Sequence, residues 1–181
     1  MDQKRPACRT LIVLGSGGHT AEMIQIVKSL DKTKYSPRYY VLAKSDITSR
    51  KRVAQIESPD ETSHAFLEIF RSREVKQSYI TSVFTTILAL IASIPLVFRL
   101  KPELILCNGP GTCVPICLVA YFLSLFRIIP RCKIVFVESF CRVKTISLSG
   151  KILKYFVDLF VVQWPSLART SGKIKYLGKL T

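Results

Sequence analysis

The feature that most constrains the fold of this chain is a short apolar run that ends in glycines and leads into a helical pattern. Leu11 to Leu14 precedes Gly15-Ser16-Gly17-Gly18-His19-Thr20, and the helical pattern begins at Ala21. A buried strand, a glycine-rich turn and a helix in this order leave backbone N–H groups pointing outward at the positive end of the helix dipole. The loop therefore predicts an anion site, with phosphate as the expected ligand.

The loop departs from the pattern of dinucleotide-binding folds. That pattern has a third glycine where this chain has Thr20, and an acidic residue after the second strand, where this chain has Val41-Leu42-Ala43. NAD binding is therefore disfavoured. The loop also places the imidazole of His19 beside the expected anion, which a simple dinucleotide binder does not need. This combination indicates chemistry next to a phosphate.

Length and charge limit the possible architectures and partners. The 181 residues suffice for one domain, 1–181, but not for two full nucleotide-binding domains. Twenty-seven basic residues against twelve acidic ones give a net charge of +15, which favours an anionic partner. Nucleic acid is disfavoured, because 49% of the residues are hydrophobic and the mean hydropathy is +0.28. A membrane surface fits this composition better.

The cysteines and histidines do not suggest a metal site. None of the six cysteines forms a C-x-x-C pair, and His19 and His64 lie far from them in the sequence. We expect no metal and interpret the cysteines within apolar runs as buried thiols in a reducing compartment. Residues 1–9 lack the apolar core of a signal peptide.

Apolar runs alternate with helical patterns along the chain, which predicts an α/β, Rossmann-like fold with a mostly parallel sheet and helices on both faces. The expected strands are 10–14, 38–43, 65–70, 103–107, 133–138 and 158–163, and the expected helices are 20–29, 46–57, 76–99, 113–126 and 147–156.

The segment 77–98 carries no charge and as a helix would reach about 33 Å, long enough to cross a bilayer. A crossing would separate the first glycine loop from the later strands, so we expect a surface helix instead. Its small face contains Ser78, Ser82, Thr85, Ala89 and Ser93. Its bulky face, expected to contact lipid, contains Phe84, Ile87, Ile91, Ile94 and Phe98. The alternative is a core helix that is buried all round.

A second loop repeats the geometry of the first. Asn108-Gly109-Pro110-Gly111-Thr112 follows the strand 103–107 and leads into the helix that begins near Cys113. Loops at the carboxyl ends of parallel strands meet at one crevice, so the two loops together favour a shared diphosphate ligand. For either loop alone, a tight turn without a ligand is the alternative.

An acidic residue ends the apolar strand near 133–138. A carboxylate there is costly unless it is paired or lies at a cleft. Glu138 could orient His19, bind a sugar hydroxyl or pair with Arg142, and the pattern does not choose among these roles.

Six segments, in order and with matching spacing along nearly the whole chain, resemble the asparagine-linked glycosylation 14 family. They are Gly15 to Thr20, Ser72-Arg73-Glu74-Val75 with Gln77-Ser78, Leu106 to Thr112, Val137-Glu138-Ser139, Ser147 to Lys151 and Val162-Gln163-Trp164-Pro165. That family is the membrane-recruiting, acceptor-side subunit of an enzyme that adds the second N-acetylglucosamine to dolichyl-diphosphate-N-acetylglucosamine on the cytosolic face of the endoplasmic reticulum. More distantly, the chain is similar to the N-terminal lobe of bacterial MurG, which glycosylates a lipid diphosphate.

The resemblance implies the N-terminal, acceptor-binding half of a two-lobed GT-B glycosyltransferase. The donor, UDP-N-acetylglucosamine, would be bound mainly by a small catalytic partner subunit, and no cofactor is implied. The partner would dock near the tail 173–181, at an interface that includes Trp164, Tyr176 and Leu177. Family members commonly begin with a hydrophobic anchor helix, whereas residues 1–9 are polar and basic. This chain is therefore either a shortened form or one that relies on its interior apolar surface.

The resemblance also implies roles for the candidate site residues. Either His19 or Glu138 would take the proton from the acceptor O4, and His19 is favoured because imidazole titrates near neutral pH. Dolichol would lie along 77–98. The acceptor diphosphate would be held by Gly15, Ser16, Gly17, Gly18, Thr20, Asn108, Gly109, Gly111 and Thr112, with Ser139 and Arg142 lining the cleft. The alternatives are an adaptor that recruits a self-sufficient transferase and a soluble nucleotide-dependent enzyme.

Overall fold

Seven parallel strands form one sheet in the computed structural model, which describes residues 7–44, 46–57, 62–69, 79–168 and 174–181. The strands are β1 (Thr10–Val13), β2 (Arg38–Ala43), β3 (His64–Ile69), β4 (Leu104–Cys107), β5 (Lys133–Val137), β6 (Leu159–Val162) and β7 (Ile174–Tyr176). The helices are α1 (Gly18–Lys28), α2 (Ile47–Ala54), α3 (Tyr79–Leu100), α4 (Cys113–Leu125), α5 (Leu148–Leu153) and α6 (Pro165–Ala168). The order in the sheet is β3-β2-β1-β4-β5-β6-β7.

The predicted fold class is confirmed, and β1 to β6 lie within one residue of their expected bounds. Strand β7 and helix α6 were not predicted, because elements of three and four residues are too short to show a periodicity. The expected start of α3 at residue 76 and the Ser72 to Ser78 part of the family pattern lie outside the described residues.

Helices cover both faces of the sheet, which explains why the central strands are apolar throughout. Leu11 and Val13 of β1 join a core that includes residues of α3, α4 and α5. Ile12 and Leu14 join the core on the opposite face, which includes residues of α1 and α2. Successive side chains of a strand point to opposite faces, so a strand covered on both sides reads as a continuous apolar run.

Helix α3 is buried on its small face and exposed on its bulky face. Ala89 and Ser93 are buried, whereas Phe84 is 65% exposed and Ile91 is 60% exposed. The prediction of two faces is confirmed over the described side chains, and the alternative of a core helix buried all round is wrong. Ser78 lies outside the described residues, as does the side chain of Ser82.

The length and composition of α3 would allow it to cross a membrane, and it is the one such helix among the described residues. However, β3 before it and β4 after it belong to the same sheet. A crossing by α3 would put these two strands on opposite sides of the bilayer. The fold therefore favours a helix that lies along a surface, and α3 continues through Pro95 to Leu100.

Candidate active site

The two glycine loops lie side by side because β1 and β4 are neighbours in the sheet. Val13 at the end of β1 is in register with Cys107 at the end of β4, so both chains leave the sheet at the same edge. A Cβ on Gly15 would stand 3.0 Å from Pro110 Cβ, which shows how closely the loops approach. The two loops thus meet at one edge of the sheet, while the shared crevice for a diphosphate stays a prediction.

His19 lies between the two loops. A Cβ on Gly15 would stand 2.7 Å from His19 Cβ, and a Cβ on Gly109 would stand 2.8 Å from His19 Cε1. Gly109 also has a φ of +70°, a backbone conformation that is energetically unfavourable for any residue with a side chain. Both loops therefore need glycine at these positions to hold the imidazole.

The helices that follow the two loops begin without side-chain caps. The N-cap residues Gly17 of α1 and Thr112 of α4 make no side-chain capping hydrogen bond, whereas Asp46 caps α2 and Ser147 caps α5. Apart from the glycine, its chain neighbours and the nearby backbone of α1, no atom of the described residues lies within 4 Å of the position that a Cβ on Gly17 or Gly18 would take. The start of α1 is thus an open group of backbone donors at the positive end of a helix dipole, which is the arrangement that binds anions.

The start of α4 offers fewer donors than the start of α1. Cys113 N–H donates to Pro110 O at 3.0 Å, and Val114 N–H donates to Gly111 O at 3.2 Å. Gly111 and Ser16 are exposed, one on each loop. The anion-binding capacity of the edge therefore lies mainly at the first loop, with Gly111 and Thr112 beside it.

Asn108 supports His19 from behind. Its side chain is buried, with Oδ1 2.9 Å from His19 Nδ1 and Nδ2 donating to Glu22 Oε2 at 2.9 Å. Both ends of the amide are therefore bonded within the protein. The predicted contribution of Asn108 to diphosphate binding remains a prediction, while its observed contacts are with His19 and Glu22.

Glu22, which was not predicted as a site residue, joins α1 to two other loops. Its Oε1 accepts a hydrogen bond from Ser139 Oγ at 2.7 Å, and its Oε2 accepts from Phe140 N–H at 3.1 Å in addition to Asn108 Nδ2. The available signal was its position three residues after His19, which places both side chains on one face of α1. Ser139, predicted to line the cleft, contacts this carboxylate.

Thr20 holds the first loop onto the neighbouring helix. Its buried hydroxyl donates to Gly15 O and lies 2.6 Å from Ser49 Oγ of α2. Ser49 Oγ also bonds Asp46 Oδ2 at 2.7 Å. A third glycine at position 20 would lack this anchor, which gives the departure from the dinucleotide pattern a structural reason.

Glu138 lies beneath the start of α5 and does not contact His19. Its carboxylate is fully buried and accepts hydrogen bonds from Ser147 N–H at 2.8 Å, Ser147 Oγ at 3.0 Å and Ser139 N–H at 3.2 Å. Burial raises the pKa of the Glu138 carboxyl, and the hydrogen bonds from Ser147 and Ser139 oppose that rise.

Two of the three roles considered for Glu138 are not observed. Asn108, not Glu138, bonds the His19 ring. Arg142 is exposed, and the described residues include no ion pair between it and Glu138. The reason is that Ser147 and the backbone of Ser139 satisfy the carboxylate without a cation. The catalytic role of Glu138 remains a prediction.

The C-terminal tail folds back on the edge of the sheet that carries the loops. Gln163 Oε1 accepts hydrogen bonds from Leu180 N–H at 3.0 Å and Thr181 N–H at 3.1 Å, and Lys179 Nζ lies 5.0 Å from the centre of the Trp164 ring. Trp164 Nε1 donates to Phe140 O at 2.7 Å, in the loop that contacts Glu22. The predicted partner interface, which includes Trp164, Tyr176 and Leu177, therefore adjoins the candidate site.

Four of the cysteines have the buried environment expected of them. Cys107, Cys113, Cys117 and Cys132 are buried, and burial raises the pKa of the Cys132 thiol to about 12. A buried thiol with a raised pKa is a poor nucleophile at neutral pH. The described residues contain no cluster of His, Cys, Asp or Glu able to hold a metal ion.

The fold places the chain among the lobes of GT-B glycosyltransferases and related enzymes. Acinetobacter baumannii MurG superimposes with a TM-score of 0.68 at 13% identity, over 93% of this chain and 45% of that one. Arabidopsis thaliana UGT89C1, solved with UDP-L-rhamnose, superimposes with a TM-score of 0.58 at 10% identity, over 97% of this chain and 52% of that one. The chain thus spans about half the length of these solved proteins.

The chain belongs to the Alg14 family, described as "Oligosaccharide biosynthesis protein Alg14 like", whose pattern matches residues 10–180. It is 50% identical to the UDP-N-acetylglucosamine transferase subunit ALG14 of Rattus norvegicus, over 97% of this chain and 84% of that protein. It is 46% identical to the human subunit of that name, with the same coverage of both chains. It is 44% identical to the subunit of Schizosaccharomyces pombe, over 97% of this chain and 85% of that protein. The resemblance noted from the sequence motifs is confirmed.

Proposed function

We propose that this chain is the acceptor-binding, membrane-recruiting subunit of a UDP-N-acetylglucosamine transferase in lipid-linked oligosaccharide synthesis. The transferase adds the second N-acetylglucosamine to dolichyl-diphosphate-N-acetylglucosamine for protein N-glycosylation. Family membership and the names of the relatives support the transferase. The observation that carries the acceptor role is the meeting of two glycine loops around His19, beside the uncapped start of α1.

The acceptor diphosphate lies over the start of α1. The open backbone at Gly17 and Gly18 receives one phosphate, and the exposed Ser16 and Gly111 lie beside it. Oriented N–H dipoles bind phosphate without a metal ion. Thr20 and Asn108 serve this site by fixing the loops and the imidazole, since their side-chain groups are already bonded.

His19 acts as the general base. Its Nδ1 is held by Asn108, and its Nε2 makes no hydrogen bond to another described residue. The acceptor O4 attacks the anomeric carbon of UDP-N-acetylglucosamine with inversion. The O4 proton passes to Nε2, and the bond between the anomeric carbon and UDP breaks with its electron pair leaving on UDP.

A separate catalytic subunit brings UDP-N-acetylglucosamine to this edge. The relatives are named as subunits, and the chain corresponds to about half of each two-lobed structure it resembles. The tail that folds against Gln163 and Trp164 is the docking region for that subunit, because it lies next to the candidate site.

The chain works at the cytosolic face of the endoplasmic reticulum membrane. The exposed apolar side of α3, which includes Phe84, Ile91 and Phe98, lies in the lipid interface. The net charge of +15 adds attraction to anionic headgroups. The dolichol chain of the acceptor follows the same surface.

Reconstitution tests this function. The purified full chain is mixed with the donor-lobe subunit, UDP-N-acetylglucosamine and a short polyprenyl-diphosphate-N-acetylglucosamine acceptor. We expect transfer only when both proteins are present, and loss of transfer with retained partner binding in His19→Gln. An adaptor that touches no substrate would keep full activity in His19→Gln, and a chain that transfers sugar alone would contradict the split enzyme.

A further inference from the structure

Glu22 is held in one position by donors from two loops. Ser139 Oγ donates to Oε1, while Phe140 N–H and Asn108 Nδ2 donate to Oε2. An ionised carboxylate has acceptor oxygens only. Whatever faces Glu22 Oε2 must therefore bring a hydrogen to the contact.

This requirement fixes the orientation of the Asn108 amide. The end that faces Glu22 must be the NH₂ group, so the carbonyl Oδ1 faces His19 Nδ1 at 2.9 Å. The reverse orientation would place the buried Asn108 Oδ1 against the half-buried Glu22 carboxylate, with two acceptors in contact. Because Asn108 is almost completely buried, water cannot relieve that contact.

The amide orientation in turn fixes the tautomer of His19. A carbonyl oxygen can only accept, so Nδ1 must carry the hydrogen of this contact. In a neutral imidazole, a hydrogen on Nδ1 leaves the lone pair on Nε2. Nε2 makes no hydrogen bond to another described residue, so the nitrogen that can accept a proton is the one that the described part of the chain leaves unbonded.

We infer that Glu22 is a positioning residue that acts through Asn108 to hold His19 in the Nδ1–H tautomer, with Nε2 ready to accept the proton of the acceptor hydroxyl. The inference rests on the proposed role of His19 as the base. Glu22 itself touches neither substrate nor donor in this arrangement. Without it, the Asn108 amide could adopt either orientation, and either nitrogen of His19 could carry the hydrogen.

The ¹⁵N NMR spectrum of histidine-labelled full chain tests the tautomer directly, at a pH where the ring is neutral. The chain has only two histidines, so the spectrum of His64→Gln assigns the signals of His19. We expect a protonated Nδ1 and an unprotonated Nε2 in the wild type, and averaged shifts of both nitrogens in Glu22→Ala. A wild-type His19 with its hydrogen on Nε2, or an unchanged pattern in Glu22→Ala, would overturn the inference.

Glu22→Gln is the conservative rescue. Its amide oxygen can accept from Asn108 Nδ2 and its NH₂ can donate to Ser139 Oγ, so we expect the wild-type tautomer to return. Gln25→Ala, an exposed change one turn later in α1, controls for damage to the helix. Thermal unfolding identifies any variant that is not folded. If Glu22→Ala does not fold, Ser139→Ala replaces it as a milder test, because it removes one hydrogen-bond donor to Glu22 and leaves Asn108 in place.

Kinetics with the donor-lobe subunit separate positioning from substrate binding. We expect Glu22→Ala to lower kcat at least tenfold with little change in KM for the acceptor, and Glu22→Gln to recover most of it. If the tautomer of His19 changes in Glu22→Ala while His19→Gln keeps full activity, Glu22 positions the ring but His19 is not the general base. If His19→Gln is inactive and the tautomer of His19 is unchanged in Glu22→Ala, His19 remains the proposed base but Glu22 does not position it.

Discussion

Gly109 lies against the ring of His19 so closely that a Cβ on the glycine would stand 2.8 Å from His19 Cε1. The glycine belongs to the loop after β4 and the histidine to the start of α1, so this contact joins the two loops. Its closeness makes the position of the imidazole depend on the absence of a single methyl group.

Gly109→Ala should therefore displace the ring and impair transfer. We expect at least a tenfold loss of kcat in the reconstituted enzyme, together with a loss of about 1–2 kcal/mol in unfolding free energy from the positive φ. Gly178→Ala is the control for backbone strain in the unfolding measurement. Gly178 has a φ of +92°, but no atom of the described residues other than its chain neighbours lies within 4 Å of the added Cβ. Wild-type activity in Gly109→Ala would contradict the proposed role of His19.

The apolar side of α3 should bind membranes. Replacing Phe84 and Ile91 by serine should reduce flotation with liposomes at least tenfold, because each exposed side chain would lose about 1 kcal/mol or more of burial in lipid. Thermal stability should change little. Ile47→Ser is the matched control, since Ile47 is 66% exposed on α2, which covers the opposite face of the sheet. Equal flotation of all three proteins would show that α3 does not contact lipid.

A buried ion pair at the start of β2 should control acid stability. Arg38 donates two hydrogen bonds of 2.8 Å to Glu57, and Tyr40 OH donates a third. Burial alone would raise the pKa of the Glu57 carboxyl, but these hydrogen bonds and the charges of Arg38 and Lys32 outweigh it and lower the pKa to about 2. The ion pair therefore stabilises the fold fully at pH values above 4.5, the ordinary pKa of a Glu carboxyl, and this stabilisation is lost as the pH falls towards 2.

Glu57→Gln should lose about 3 kcal/mol of unfolding free energy at neutral pH, because it leaves Arg38 buried without its charge partner. Its stability should also depend less on pH between 4.5 and 2 than that of the wild type. Glu68→Gln, which breaks an exposed ion pair with Arg50, should cost no more than about 0.5 kcal/mol. Denaturant unfolding at neutral pH and between pH 4.5 and 2 measures the unfolding free energy of each variant. Equal losses of unfolding free energy in Glu57→Gln and Glu68→Gln would refute the prediction.

The exposed tail residues should bind the donor-lobe subunit. Tyr176→Ser combined with Leu177→Ser should weaken that association about tenfold or more, because both side chains are exposed and would be buried on docking. Ile128→Ser, an equally exposed change just after α4, should leave it unchanged. Titration calorimetry with the purified subunit provides the affinities. An unaltered Kd in the double variant would show that these tail residues are not part of the interface.

The continuous apolar runs and the two glycine loops were readable from the sequence because each is a local pattern. A strand covered on both faces must be apolar throughout, and a glycine turn between strand and helix has a recognisable composition. The two faces of α3 also followed from helical periodicity. The short elements β7 and α6 were missed, since their existence depends on β6 and on the sheet edge that they join.

The sequence by itself determined the parallel α/β fold, the location of both loops and His19 as the central side chain, since these depend on residues that are neighbours along the chain. Only the tertiary structure decided how His19 is held. Glu22 contacts Asn108 and Phe140 across 86 and 118 residues, and no local pattern records such a contact. It likewise decided that Glu138 lies beneath α5, because a buried carboxylate takes the donors that the packed chain brings to it.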